Sequence, residues 1–249
     1  QATERRRPRV INVEPGDTTE NHYSLAFDIG TTTVKGQLLD LKRGRVIAES
    51  VDYNGQISYG ADVITRIVHC QRPGGLQKLQ QAVVTTINGI IKQLLSRRRI
   101  DMERIGHLNV AGNTTMIQIL LGLDPKYIRL APYTPAATYI PPVKAHSLGI
   151  KVAEHVYLFS FPSVASYVGG DIVSGIVASG VHQRERITFY MDIGTNGEIV
   201  IGNSDWMVTA ACSAGPAFEG GGIKYGMIAT NGAIEEFDIN PSNLEPVVG

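Results

Sequence analysis

Two short strings carry residues that could do chemistry: Leu25 to Thr33 reads LAFDIGTTT, and Phe189 to Gly197 reads FYMDIGTNG. In each, an apolar run ends at an acid, then a glycine, then small polar residues, and a second strand-like run follows. An acid at a strand end points its carboxylate into a crevice. There it can hold a magnesium ion through water, because Mg²⁺ keeps several waters and takes one or two carboxylates plus substrate phosphates. Asp28 and Asp192 are the candidates for that role. Gly30 lacks the Cβ that would keep the backbone from a phosphate. Thr31, Thr32 and Thr33 add hydroxyls and successive N–H groups, a concavity suited to anions. The second copy offers Gly194, Thr195, Asn196 and Gly197. Two such hairpins face to face would clamp a triphosphate from both sides, with catalysis by positioning and charge stabilisation. One Asp-x-Gly-Thr alone is also an ordinary hairpin turn. Its return in the same strand–turn–strand setting favours a site built from two halves.

Three further stretches belong to the same question. Gly220, Gly221 and Gly222 would let a nucleotide approach closely, or would form a plain flexible loop. The run from Val168 to Asp171 reads as glycines for close helix packing, with Asp171 a weak candidate for a cleft acid. Ala111 to Thr115, AGNTT, places Asn113 or Thr114 where it caps a helix; the stretch could also face a terminal phosphate from that helix's N-terminus, with Asn113 as the contact, though capping alone explains it equally well. Other chemistries find little support. The six histidines show no metal-ligand spacing, and there is no GxSxG, G-x-x-x-x-G-K-[ST] or GxGxxG string.

The elements that must position these residues follow from hydrophobic patterning. Three strand-like runs start at Tyr23, with KRG as the turn between the last two. Leu76, Leu79, Val83, Ile87, Ile91 and Leu94 recur at helical spacing. IGHLNVAG predicts a buried strand, MIQILLG a helix, HVYLFSFP a strand and SVASYVGGDIVSGIVASG a helix of small residues. At Ile187 the three-strand pattern restarts, so the chain reads as a duplicated α/β unit whose second copy is incomplete. The expected division is a linker over 1–21, a first subdomain over 22–185 and the start of a second over 186–249.

Bulk composition narrows the class. With 23 basic and 23 acidic residues the chain is formally neutral, which argues against a nucleic-acid binder held by charge. Cys70 and Cys212 are the two cysteines, far apart, so neither a disulfide framework nor a zinc site is expected, and a reducing, cytoplasmic setting fits. No apolar stretch approaches a membrane span and no signal-peptide pattern opens the chain. It begins at Gln1 rather than Met, so a preceding segment is expected.

With these residues in view, the chain resembles the ATPase superfamily of actin, heat-shock chaperones and sugar kinases. The two hairpins look like its phosphate-1 and phosphate-2 motifs, and the small-residue helix like its connect-1 motif. The strings NGQISYGADVITRI, NVAGNTTMIQILLGLDP, FPSVASYVGGDIVSGI and MDIGTNGEIVIG are together similar to the C-terminal ATPase region of reductive activators of corrinoid proteins. That resemblance implies duplicated ribonuclease H-like subdomains around an ATP cleft, with Mg²⁺. It implies ATP hydrolysis that drives one-electron reduction of cob(II)amide to cob(I) on a corrinoid methyl-transfer protein, the partner. It implies, too, a homodimer and an N-terminal ferredoxin-like domain with a [2Fe–2S] cluster, which two distant cysteines here cannot ligate. Asp28, Gly30, Thr31 and Thr32 match the first phosphate motif; Asp192, Gly194, Thr195 and Asn196 match the second. In the chaperones the connecting helix begins with an acid near the attacking water, whereas the matching start here is Pro162-Ser163, which leaves the general base open. The adenosine motif is expected after residue 249. Two other classes stand beside this reading: a small-molecule kinase of the same superfamily, and a binding module that grips a partner without hydrolysis.

Overall fold

The computed structural model describes residues 10, 12–13, 16–194, 196–212, 232, 234 and 236–248. Gly220, Gly221, Gly222 and Thr195 lie outside the described residues.

The first sheet orders its strands β3-β2-β1-β4-β6-β5. These are β1 (Tyr23–Ile29), β2 (Thr33–Asp40), β3 (Arg45–Tyr53), β4 (Ile105–Gly112), β5 (Val143–Lys144) and β6 (Tyr157–Ser160). β1, β2 and β3 form an antiparallel meander, and β4 then joins β1 in parallel. β1 is thus central, and Leu25, Phe27 and Ile29 are all buried. Helix α2 (Gly75–Arg98) lies on this sheet and buries Leu79, Val83, Ile87, Ile91 and Leu94 of the stripe expected from spacing; Leu76 is only half-buried, and Ile90 joins the buried face. Each such aliphatic side chain removed from water stabilises the fold by about 1.5–3 kcal/mol. Gly36 lets the helix come close, since a Cβ there would stand 2.5 Å from Ile90 Cγ2 and 2.7 Å from the Phe27 ring.

Between β3 and α2 the irregular stretch of the sequence is ordered. A single turn of 3₁₀ helix at Gly55–Tyr59 leads into α1 (Val63–Cys70), which a reciprocal capping box between Asp62 and Thr65 begins. After β4 comes α3 (Thr114–Leu120), capped by Asn113.

One expectation needs correction. The small-residue helix does not begin near Pro162; α4 spans Gly170–Ser179. Residues 163–168 are held instead by tertiary bonds. Ser163 N–H donates to Thr138 O at 2.8 Å, Thr114 Oγ1 donates to Ala165 O at 2.7 Å, and Ala165 and Val168 form a β-bridge. Backbone groups already paired in this way have no need of a helix.

The second sheet is β7 (Thr188–Ile193), β8 (Gly197–Gly202) and β9 (Met207–Cys212), antiparallel in that order. One face, with Tyr190 and Val200, packs on Val168, Ile172 and Ile176 of the α4 region. The other face leaves Phe189, Met191, Ile193, Ile201 and Val208 exposed. A short hairpin, β10 (Phe237–Ile239) with β11 (Pro246–Val248), completes the described elements.

Candidate active site

The first Asp-x-Gly-Thr string is a hairpin turn, as expected, at the carboxyl ends of the parallel strands β1 and β4, and β7 and β8 pair as antiparallel strands on either side of the second. Asp28 pairs with Lys35 across β1–β2 and with Ala111 of β4. Crevices outside such strand ends are where α/β sheets hold ligands.

The loop from Gly30 to Thr33 is tied down from behind by side chains that sequence reasoning missed. Asn54, fully buried, donates from Nδ2 to Gly30 O at 2.8 Å, and its own N–H donates to Thr32 O at 2.8 Å. Arg66, also fully buried, donates from Nη2 to Thr31 O at 2.6 Å. Asn113 Nδ2 donates to Thr31 Oγ1 at 3.3 Å while its Oδ1 caps α3 through Met116 N–H at 3.0 Å. Gly30 O and Thr31 O are therefore both drawn inward. In a trans peptide the C=O and the next N–H point opposite ways, so the N–H groups of Thr31 and Thr32 turn away from this bracing. Successive N–H groups turned to one side in this way can receive an anion.

The fold gives Gly30 a reason of its own, beside the close approach of a phosphate. A Cβ there would meet the loop's own Thr33 O at 2.7 Å, so the tightness of the turn by itself requires glycine. Gly194 is more open, its nearest such atom being Asn196 O at 3.8 Å.

In the second hairpin Asp192 pairs with Glu198. Directly opposite residues of an antiparallel pair share a sheet face, and like charges there are destabilising. This face carries Tyr190 and Val200 and is the one packed toward α4. There Asp171 lies in the first turn of the corrected α4, its Oδ1 accepting from Ile172 N–H at 2.8 Å. Asp28, Asp171 and Glu198 thus converge with Asp192, and the shifts of those three record their neighbours. Burial first, then Asp192, raises the Asp28 carboxyl, while Lys35 pulls it down. Asp28 remains accessible, but cleft walls replace much of its surrounding water. Burial, helped by Asp28 and Asp192, pushes Asp171 up to about 6. Burial, helped by Asp171 and Asp192, pushes Glu198 up to about 7. Among the described residues no three acid, histidine or cysteine side chains stand close enough to ligate one metal ion together.

Two cavities flank this chain of acids. One, about 310 Å³, is lined by Asp28, Lys35, Asn109, Phe161 and Ser174. The other, about 390 Å³, is lined by Asp62, Ile64, Asn113 and Tyr167 and, from the β7–β8–β9 sheet and its first turn, by Asn196, Glu198 and Cys212. The structure so brings together Asp28, Thr31, Asn113, Asp171, Asp192 and Asn196, and adds Lys35, Asn54, Arg66 and Glu198. Strand register was a signal for Lys35 and Glu198, since each stands opposite its hairpin's aspartate.

The RACo middle-region family model matches residues 23–184, and the model for the C-terminal domain of RACo, the ASKHA domain, matches residues 186–249. The corrinoid activation enzyme RamQ of Eubacterium limosum is 34% identical over 230 residues, which cover 92% of this chain and 38% of that protein. A [Co(II) methylated amine-specific corrinoid protein] reductase of Methanosarcina barkeri is 25% identical, over 88% of this chain and 41% of the relative. Among solved structures, a reductive activator for corrinoid, iron-sulfur protein superposes with a TM-score of 0.81 at 48% identity, over 96% of this chain and 38% of that one. The chain spans about two fifths of the length of these relatives. Its fold is the expected duplicated α/β fold of the actin-like ATPase class, and the chain belongs to the RACo family.

Proposed function

We propose that this chain is the ATP-binding and ATP-hydrolysing part of a reductive activator. That activator returns the inactive cob(II)amide of a corrinoid methyl-transfer protein to cob(I), in the cytoplasm. The observation that carries the reading is the pairing of an anion nest at Gly30–Thr33 with four convergent carboxylates, in a chain whose relatives are named for corrinoid activation.

The donor set suits Mg²⁺, a hard cation that takes oxygen ligands. Asp28 and Asp192 would hold it through water, and when bound it supplies charge neutralisation at the phosphates. The chain's own residues do the rest. Thr31 and Thr32 N–H groups receive phosphate oxygens, with Lys35 beside them, and Asn196 and Gly197 approach from the second hairpin. Water attacks the γ-phosphorus, the bond to the β–γ bridging oxygen breaks, and ADP leaves. The proton of the water passes to an acid on the cleft, Glu198 or Asp171. A carboxyl titrating near neutral pH suits a general base. The electron comes from a [2Fe–2S] ferredoxin-like domain outside this chain, and hydrolysis drives its transfer only if nucleotide states bind the corrinoid partner with different affinity.

The test uses the intact protein. MgATP turnover should rise on adding the corrinoid protein and should need no small acceptor. Asp28→Asn and Asp192→Asn should each lower turnover by at least about a hundredfold while the far-UV spectrum stays unchanged. Turnover stimulated by a sugar or carboxylic acid instead would assign the chain to the small-molecule kinases.

A further inference from the structure

Arg66 is a full positive charge with no solvent exposure, and the proposed chemistry does not use it. Its four hydrogen-bond acceptors are all neutral. Nε donates to Gly60 O at 2.9 Å, Nη1 to Gln56 Oε1 at 3.1 Å and to Met116 Sδ at 3.2 Å, and Nη2 to Thr31 O at 2.6 Å. The nearest acid in the sequence, Asp62, uses its carboxylate to cap α1 through Thr65 N–H at 2.8 Å. Burial pushes the guanidinium down to about 10, with Asp62 opposing, so it stays protonated at neutral pH.

A buried charge without an ion-pair partner is expensive, and apolar replacements of buried charges are often neutral or stabilising. Packing alone therefore does not account for an arginine here. Its shortest bond goes to one peptide, Thr31–Thr32, whose carbonyl it pulls inward and whose N–H consequently faces the other way. A cationic donor on a carbonyl polarises the whole amide, and hydrogen bonds in series strengthen one another.

Resting on the assignment of Gly30–Thr33 as a phosphate-binding loop, we propose that Arg66 is a positioning residue for nucleotide phosphates. From behind the loop it fixes and polarises the Thr31–Thr32 peptide, so that the Thr32 N–H becomes a stronger, pre-aimed donor to the anion. Arg66 acts on affinity for the triphosphate and never touches it.

The experiment compares intact wild-type protein with Arg66→Met and Arg66→Lys, measuring thermal unfolding without ligand, MgATP affinity by calorimetry, and the separate KM and kcat of turnover. Arg66→Met should raise the dissociation constant and KM for MgATP by about tenfold or more, with kcat at saturation changed less than about threefold. Arg66→Lys, which keeps the charge but not the fork, should recover part of the affinity. A folded Arg66→Met with wild-type KM and affinity overturns the proposal, and so does equal impairment of the Met and Lys variants, which would mean that the charge is not used. If Arg66→Met fails to fold, Gln56→Glu answers the same question. It leaves the guanidinium in place but sets a carboxylate against its Nη1, so KM should still rise, and an unchanged KM overturns the proposal. A wild-type protein that binds no MgATP would refute the phosphate-loop assignment itself.

Discussion

Replacing Asp171 with Asn should make the nucleotide-free protein more stable at neutral pH, and the gain should vanish in acid. The amide oxygen of the introduced asparagine can still accept from Ile172 N–H, so the geometry at the start of α4 is retained. What the change removes is a charge held among other acids. The Asp171 carboxyl titrates at about 6 in the fold against an ordinary 3.8, raised by burial, Asp28 and Asp192. The sign follows from proton binding. A carboxyl raised in the folded state binds more protons there than in the unfolded chain, so its contribution is full below about 4 and is lost as pH climbs to about 6. At ~1.4 kcal/mol per pH unit the loss is bounded near ~3 kcal/mol, and screening at a partly open cleft brings the expected figure to about 1–2 kcal/mol. Urea unfolding at pH 4.5 and 7.5, with chelator and without nucleotide, reads this directly. The variant should match wild type at the lower pH and exceed it at the higher, with unchanged dependence on urea. Equal differences at both values, or a variant less stable at pH 7.5, would refute the account of the acid cluster.

Other consequences are independent of that one. A Cβ at Gly169 would stand 2.5 Å from both Gly112 O and Asn113 Cα, backbone atoms with no rotamer to yield, so Gly169→Ala should cost about 1–3 kcal/mol in a thermal melt. By displacing Asn113 from Thr31, it should also raise KM for MgATP in the intact protein. Maleimide should label Cys212, which is exposed on the cleft wall, and not Cys70, whose buried thiol is pushed up to about 12. Mass spectrometry of the labelled peptide checks this, and MgATP should slow the reaction. Asp62→Ala removes the carboxylate that accepts from Thr65 N–H in the α1 capping box, leaving the reciprocal bond from its own N–H to Thr65 Oγ1, and should destabilise by about 1 kcal/mol, seen as a lower urea midpoint.

The parts of the site legible in the sequence are those whose cause is local. Asp28-Ile29-Gly30-Thr31 is a hairpin because of its own residues and the apolar runs beside it, and α2 is read from the spacing of Leu79, Val83 and Ile87. Asn113 as a helix cap is equally local. What escaped depends on distant partners. The start of α4 was displaced because Thr138 and Thr114 bond to the segment before it. Arg66 lies among Ile64, Ile67 and Val68 and reads as one charged position on an amphipathic helix. Only the loop 35 residues earlier in the chain makes it a brace. Asn54 had no signal of its own, since the bonds that matter reach back to Gly30 and Thr32.

The duplication itself hid a difference in charge. Read as strings, the hairpins are two equal jaws, but their registers oppose Asp28 to Lys35 and Asp192 to Glu198. Beside the first, Lys35 Nζ also meets Glu49 Oε2 at 3.2 Å, and the Arg66 guanidinium lies behind, so positive charge offsets the single aspartate. The second jaw presents two acids on one face, with Asp171 adding a third and, among the described residues, no cation registering on Glu198. Opposite neighbours on a sheet of this kind weaken it, so the arrangement persists for a reason other than stability. On the proposed reading the polarity orients the ligand. A bare triphosphate would be repelled by the second jaw, whereas in a magnesium–triphosphate complex the Thr31 and Thr32 N–H groups would take phosphate oxygens and Asp28 and Asp192 would hold the metal through water. Repetition built the two halves, and the residue facing each aspartate assigned them different work.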